Sequence, residues 1–207
     1  MLHYETIEPN TLGLLKRLQA LPILRNTRLV GGTSLALQIG HRKSVDLDLF
    51  GSVECAPEEL VENLRTCGTV VQLKTSANIN IFLIDGVKVD IVNYKYPWLE
   101  EAIVEDDVVL ARIQDIAAMK VNAIIGRGTR KDFVDLAHIM KNYTLPQVLH
   151  FYFEKYPEAS MFLAAKSIAY FEDADAEPMP YMFTKETWEE IKAIISAQFD
   201  EYADKLS

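Results

Sequence analysis

The sequence predicts an α+β (α/β) fold: a β-sheet flanked by helices over residues 1–107, followed by a helical C-terminal region over residues 108–207. Three features predict it. Residues 79–84 and 87–92 are apolar runs joined by Asp85-Gly86, a dipeptide that favours a type I′ hairpin turn. Val45-Asp46-Leu47-Asp48-Leu49-Phe50 alternates apolar and acidic side chains, as a half-buried strand does. Beyond Val108 the strand signal fades and apolar residues recur at helical spacing.

Taken in order, residues 9–21 place Leu12, Leu15, Leu18 and Leu21 at helical spacing behind Pro9 and an Asn10 or Thr11 cap. Arg28-Leu29-Val30 reads as a short strand. Gly31-Gly32 then lets the backbone turn tightly and approach whatever lies above it. Thr33 to Ile39 reads as a helix whose first-turn N–H groups lack intrahelical partners and suit a phosphate. Gly40-His41-Arg42-Lys43-Ser44 follows at the mouth of the acidic strand. Arg42 and Lys43 either neutralise phosphate, whose oxygens the planar guanidinium of Arg42 suits, or simply offset Asp46 and Asp48, while His41 is expected to be a solvated turn residue. On the strand itself Val45, Leu47 and Leu49 are expected to point into the core, and Asp46 and Asp48 to point together. Two ionised carboxylates held that close repel, at a cost, unless a cation or a proton sits between them. A divalent metal is the obvious occupant.

Residues 56–67 read as a helix with Glu58 and Glu59 in its first turn, and residues 70–73 as a strand. Asp90 is the single acid on the second hairpin strand. It is either a strand-edge carboxylate facing solvent or a third metal ligand. The aromatic run Asn93-Tyr94-Lys95-Tyr96-Pro97-Trp98 either packs the sheet against a neighbouring domain or stacks on bases. Asp115 is placed to cap a helix that stops at Gly126, and Lys120 falls inside the apolar stripe of that helix. Its ammonium either snorkels to solvent or is aimed at an anion in a cleft. The loop Gly126-Arg127-Gly128-Thr129-Arg130-Lys131 carries three bases and no acid. Asp132 and Asp135 open the next helix, where capping and pairing with Lys131 would account for them. Helices are expected at 147–156, 158–170 and 184–202, with the acidic, proline-bounded connection 171–180 between the last two.

Composition bounds these readings. At 207 residues with 49% hydrophobic and 25% charged side chains, the chain has the makeup of a soluble globular protein. No basic region leads into an apolar run near Met1, and no stretch approaches the roughly 20 apolar residues that span a bilayer; a cytoplasmic location and no membrane partner are expected. Cys55 and Cys67 lack zinc-site spacing. The net charge of -9 is uneven: residues 1–150 carry 16 basic and 18 acidic side chains, residues 151–207 carry 5 and 12. A polyanion groove in the first part is therefore not excluded.

The glycine pair, thirteen intervening residues, Asp-x-Asp on a strand and a lone aspartate on a later strand form the pattern of the DNA polymerase β-like nucleotidyltransferase superfamily. Locally, GGTSLAL, HRKSVDLDLF and DIAAMKVNAIIGRGTRKDFVDL resemble the AbiEii/AbiGii toxin family, the enzymatic half of a type IV toxin–antitoxin system involved in abortive infection. The resemblance implies a nucleotidyltransferase-type mixed β-sheet, with the helical C-terminal domain completing the active-site cleft. It assigns Asp46 and Asp48 to metal, Asp90 as the superfamily's third acid, and Gly31 and Gly32 to the glycine motif. Lys120 becomes the triphosphate lysine, and Asp132 and Asp135 the final aspartate motif. Nucleotide contacts are expected from Gly31, Gly32, Thr33, Ser34, Arg42, Ser44 and Lys120, and RNA-backbone contacts from Arg127, Arg130 and Lys131.

The implied cofactor is Mg2+, two ions, with Mn2+ as an alternative; the implied substrate is a nucleoside triphosphate. The implied partners are an RNA acceptor, the 3′ end of tRNA foremost, and a cognate antitoxin. Two-metal nucleotidyl transfer would clamp the α-phosphate between an attacking hydroxyl and departing pyrophosphate. The alternatives are transfer to a protein, a DxD glycosyltransferase using a nucleotide-sugar, and a non-catalytic antitoxin-binding protein.

Overall fold

In the computed structural model, which describes residues 1–204, the chain divides into two compact units. The first comprises Met1–Tyr96 and Glu101–Ala111; the second comprises Pro97–Glu100 and the chain from Arg112 onward.

The first unit is built on seven strands: β1 (Thr27–Leu29), β2 (Leu47–Gly51), β3 (Val70–Lys74), β4 (Ile79–Ile84), β5 (Val87–Asn93), β6 (Ile103–Glu105) and β7 (Val108–Leu110). They form one mixed sheet in the order β3-β4-β5-β2-β1-β7-β6. Its helices are α1 (Pro9–Gln19), α2 (Gly31–Ile39) and α3 (Pro57–Arg65). β2 runs parallel to β5 and antiparallel to β1, and β1 runs parallel to β7. The alternation read from sequence is realised on β2, where Leu47 and Leu49 are wholly buried and Asp48 and Phe50 lie on the other face. Leu29, Val89 and Ile91 join them in one core with Leu14, Leu15 and Leu18 of α1 and Leu60 and Leu64 of α3. Apolar side chains thus fill one face of the central strands and leave the other for the acids. Val45 departs from expectation: it precedes β2 and is 58% exposed, because pairing begins only at Leu47.

The hairpin turn forms as read, with Asp85 and Gly86 both at positive φ (48° and 84°). The reading that strand structure ends before Val108 is corrected. β6 and β7 form a second hairpin through Asp106 and Asp107, also at positive φ, and β7 docks on β1 with Leu110 beside Leu29. Three-residue strands carry too little alternation to be read. This docking keeps residues 108–111 with the sheet, so the division follows Ala111 rather than residue 107.

The second unit is helical: α4 (Ile113–Gly126), α5 (Arg130–Ile139), α6 (Leu145–Lys155), α7 (Met161–Ile168), α8 (Glu172–Asp175) and α9 (Trp188–Asp204). α4 packs against α5, α6 and α7 and buries Ile116, Ala117, Ala118, Val121 and Ile124. Asp115 is not a cap, since Arg112 holds that position. Its fully buried carboxylate instead accepts the backbone N–H groups of Leu99 (3.0 Å) and Glu100 (3.3 Å) and the Lys155 ammonium (2.6 Å). Lys155 also donates to the Pro97 carbonyl (2.7 Å) and lies 4.6 Å from the Trp98 ring centre. These bonds tie residues 97–100 to the helical unit. Of the aromatic run, Tyr94 packs between Phe50 and Tyr96 in the first unit, at 5.4 and 5.5 Å between ring centres. No helix among the described residues is long and apolar enough to cross a membrane.

Candidate active site

The turn from β1 into α2 brings backbone, carboxylate and guanidinium together. Val30 is extended, and the helix begins at Gly31, two residues earlier than expected, so the glycine pair forms its first turn. A Cβ on Gly31 would stand 2.3 Å from Asp48 Oδ2, and one on Gly32 would stand 2.1 Å from Arg42 Nη2. Both distances are well inside van der Waals contact, and Gly31 also sits at φ +66°. The pair is glycine because one acidic and one basic side chain lie directly on it.

The segment before β2 is fixed by hydroxyls. Thr33 Oγ1 lies 2.8 Å from Ser44 Oγ and also bonds the Asp46 carbonyl, and both hydroxyl residues are buried. Ser34 Oγ accepts from the Gln38 amide at 3.1 Å. Arg42 is buried and donates from Nη1 to the Lys43 carbonyl at 3.0 Å. His41, expected in solvent, is 1% exposed, so the segment linking α2 to β2 is packed in rather than looped out.

Asp48 and Asp90 are register partners on the parallel strands β2 and β5, and Asp46 lies two residues before Asp48. The reading of Asp90 as a sheet-edge carboxylate is overturned, because β5 lies between β4 and β2 and the Asp90 side chain is only 20% exposed. Reading by motif missed Lys88. It stands two residues before Asp90 on the same face of β5, and its ammonium lies 2.7 and 2.8 Å from the two Asp90 oxygens. Burial alone would lower its pKa; the hydrogen bond and charge of Asp90, then the charges of Asp48 and Asp46, outweigh burial and raise it. The i, i+2 spacing of Lys88 and Asp90 was a signal available in the sequence.

The carboxylates suit a divalent cation in chemistry, since hard oxygen donors on adjacent strands are what Mg2+ or Mn2+ takes. Their common field already attracts a cation, the Lys88 ammonium. Among the described residues, however, no three acidic, histidine or cysteine side chains are drawn together as a ready metal cluster.

In the helical unit Lys120 neither snorkels nor stands free. Its ammonium lies 2.9 Å from Asp132 Oδ1 and 2.5 Å from Asp135 Oδ2, and both carboxylates are fully buried. Asp132 also accepts from Arg127 Nε (2.9 Å), Arg127 Nη2 (3.2 Å) and Thr129 Oγ1 (2.6 Å). Burial pushes the Asp132 pKa up, but the Lys120 charge and then the Arg127 and Thr129 hydrogen bonds hold it down at about 2. The partner of these aspartates is therefore Lys120 rather than Lys131.

The three loop bases fare differently. Arg127 is spent partly on Asp132, although its side chain stays 58% exposed. Arg130 donates to the carbonyls of Ala174 (3.0 Å) and Asp175 (2.5 Å), and its guanidinium lies 4.7 Å from the Trp188 ring centre. Its backbone N–H donates to Glu177 (2.8 Å), so the acidic connection lies against the start of α5. Lys131 is exposed.

A mixed sheet whose glycine turn faces an Asp-x-Asp strand, with a further aspartate in register, defines a nucleotidyltransferase. Solved structures share the fold. JHP933 from Helicobacter pylori superposes with a TM-score of 0.62 at 16% identity, covering 95% of this chain and 90% of that one. MenT4, a nucleotidyltransferase toxin from Mycobacterium tuberculosis, superposes with a TM-score of 0.60 at 13% identity, covering 92% and 80%. Residues 13–99 match the family model of the nucleotidyl transferase AbiEii toxin of type IV toxin–antitoxin systems. An uncharacterized protein of Aquifex aeolicus is 33% identical over 196 residues, 92% of this chain and 94% of that protein. The chain belongs to the AbiEii nucleotidyltransferase toxin family. The matched span contains Gly31, Gly32, Asp46, Asp48 and Asp90 and ends before Lys120, Asp132 and Asp135.

Proposed function

We propose that this protein transfers a nucleoside monophosphate from a nucleoside triphosphate to an RNA acceptor, the 3′ end of tRNA, in a Mg2+-dependent reaction restrained by a cognate antitoxin. The observation that carries the reading is the register of Asp48 with Asp90 beside a glycine turn on which Asp48 and Arg42 lie. In this reading the N-terminal amides of α2, from Gly31 to Ser34, receive the β- and γ-phosphates, where the helix terminus favours negative charge. Arg42 adds a guanidinium beside Gly32, and the Thr33–Ser44 contact holds the cradle in shape. Asp46, Asp48 and Asp90 hold the metal, which when bound neutralises the transferring phosphate and lowers the pKa of the attacking hydroxyl.

For the helical unit the proposal is a division of labour. Lys120, Asp132 and Asp135 hold the 126–131 loop, and Arg127 and Lys131 offer it to the RNA backbone. The triphosphate role that the family resemblance implies for Lys120 is the competing assignment, and the stability and nucleotide KM of a Lys120→Met protein separate the two.

The test is labelling. Purified protein with Mg2+ and each labelled nucleoside triphosphate is expected to label tRNA at its 3′ end, and Asp46→Ala and Asp48→Ala to label nothing. Label on protein in place of RNA would move the acceptor class. No label on either, together with undiminished toxicity of Asp46→Ala on expression, would sink the enzymatic reading.

A further inference from the structure

One cation that meets the acidic strands comes from the same sheet. Lys88 and Asp90 share a face of β5, and Asp48 lies beside Asp90 in register on β2. The ammonium sits within 2.8 Å of both Asp90 oxygens, yet Oδ1, although buried, gains no hydrogen bond of acceptable geometry. One carboxylate oxygen is thus met by charge alone. The Lys88 side chain is 41% exposed, against 6% for Lys120, so burial does not lock it in place. Its four-carbon stem can swing without moving the strand.

We propose that Lys88 is the resident counter-cation of the carboxylate strands, and that a divalent ion binds there by displacing its ammonium from Asp90. This rests on the metal reading given above. An ammonium and a divalent ion that use the same carboxylate compete twice, once for the oxygens and once through their mutual repulsion. Lys88 therefore does two things. It relieves the repulsion among Asp46, Asp48 and Asp90 while no metal is bound, and it raises the metal concentration needed to fill the site.

The test measures Mn2+ binding to the full chain by electron paramagnetic resonance of the free ion, without nucleotide, so that turnover plays no part. Lys88→Met is expected to bind Mn2+ about five- to tenfold more tightly than the wild type, the range of a half-exposed pair plus a relieved repulsion. Lys88→Arg, which keeps the charge, is expected to stay near the wild type. Melting curves supply the second readout: without metal Lys88→Met melts below the wild type, and saturating Mn2+ raises its melting temperature by more. Lys88→Gln serves in the same way if Lys88→Met does not fold. Wild-type binding that the neutral variants match or fall below would overturn the displacement and leave the metal reading standing. Mn2+ binding no better in any of these proteins than in an Asp46→Asn/Asp48→Asn variant would overturn the metal reading itself.

Discussion

Lys88 on β5 and Lys120 on α4 both meet aspartates at ion-pair distance, but water reaches them very differently. The Lys88 and Asp90 side chains are 41% and 20% exposed, whereas Lys120 is 6% exposed and its two carboxylates are fully covered. An exposed pair holds by a fraction of a kilocalorie and can be exchanged for another partner. A buried one holds because breaking it strands a charge in a low dielectric. The same two side-chain chemistries therefore make a replaceable contact on the sheet and a permanent one in the helical unit.

The largest effect expected from this contrast falls on Lys120. Lys120→Met leaves Asp132 and Asp135 buried without their ammonium and is expected to cost about 3–5 kcal/mol in urea or thermal unfolding. Lys88→Met, measured alongside, is expected to lose far less. A Lys120→Met protein that melts like the wild type but has a raised KM for nucleoside triphosphate would reverse the assignment and make Lys120 a nucleotide ligand. On the sheet the effect is expected in rate instead of stability. Asp48→Asn should lower transfer by about 10²–10³-fold, as loss of one electrostatic element of a transition-state site does. Its metal-free melting temperature should stay level or rise, because a repelling charge is gone.

The sheet was more legible in sequence than the helical network, for a physical reason. Strand patterns have a period of two, so Leu47, Leu49, Asp46 and Asp48 declare their faces from neighbouring positions, and Asp85-Gly86 declares the hairpin. The register of Asp48 with Asp90 is long-range, but both strands were already visible. In the helical unit Lys120 could be placed on a stripe, yet its partners lie on the next helix, and spacing along one helix does not say which neighbour a stripe faces. Asp115 shows the same limit: read as a cap from its place near a helix start, it is held by Lys155, forty residues on. His41 failed differently, since a polar turn sequence does not reveal that its loop is packed into the core.

The buried network also carries a pH signature. The Asp132 pKa is lowered from 3.8 to about 2. A carboxylate depressed on folding adds stability that is fully present above its unfolded pKa and is lost as pH falls through the folded one. The contribution is about 2–3 kcal/mol and disappears between about pH 4 and pH 2. Unfolding measured from pH 6 to pH 2 should show this loss in the wild type and a flatter profile in Asp132→Asn. Equal slopes for the two proteins would mean that Asp132 is not held ionised by Lys120 and Arg127.

The smallest effects separate two adjacent bases of the loop that look equivalent in sequence. Arg130 spends its guanidinium on two carbonyls of the acidic connection and on the Trp188 ring, while Lys131 is exposed. Arg130→Ala is expected to cost about 1–2 kcal/mol of stability, the worth of its hydrogen bonds and ring contact. Lys131→Ala should leave stability within about 0.5 kcal/mol. If RNA is the acceptor, Lys131→Ala should also reduce the salt dependence of RNA binding by about one unit of slope. Stability and salt slope are independent readouts, so each base is expected to move one and spare the other. A salt slope that drops for Arg130→Ala, with no loss of stability, would show that the acidic connection is a loose cover over an RNA-binding base, and the line between fixed and exchangeable charges would then have to be drawn elsewhere.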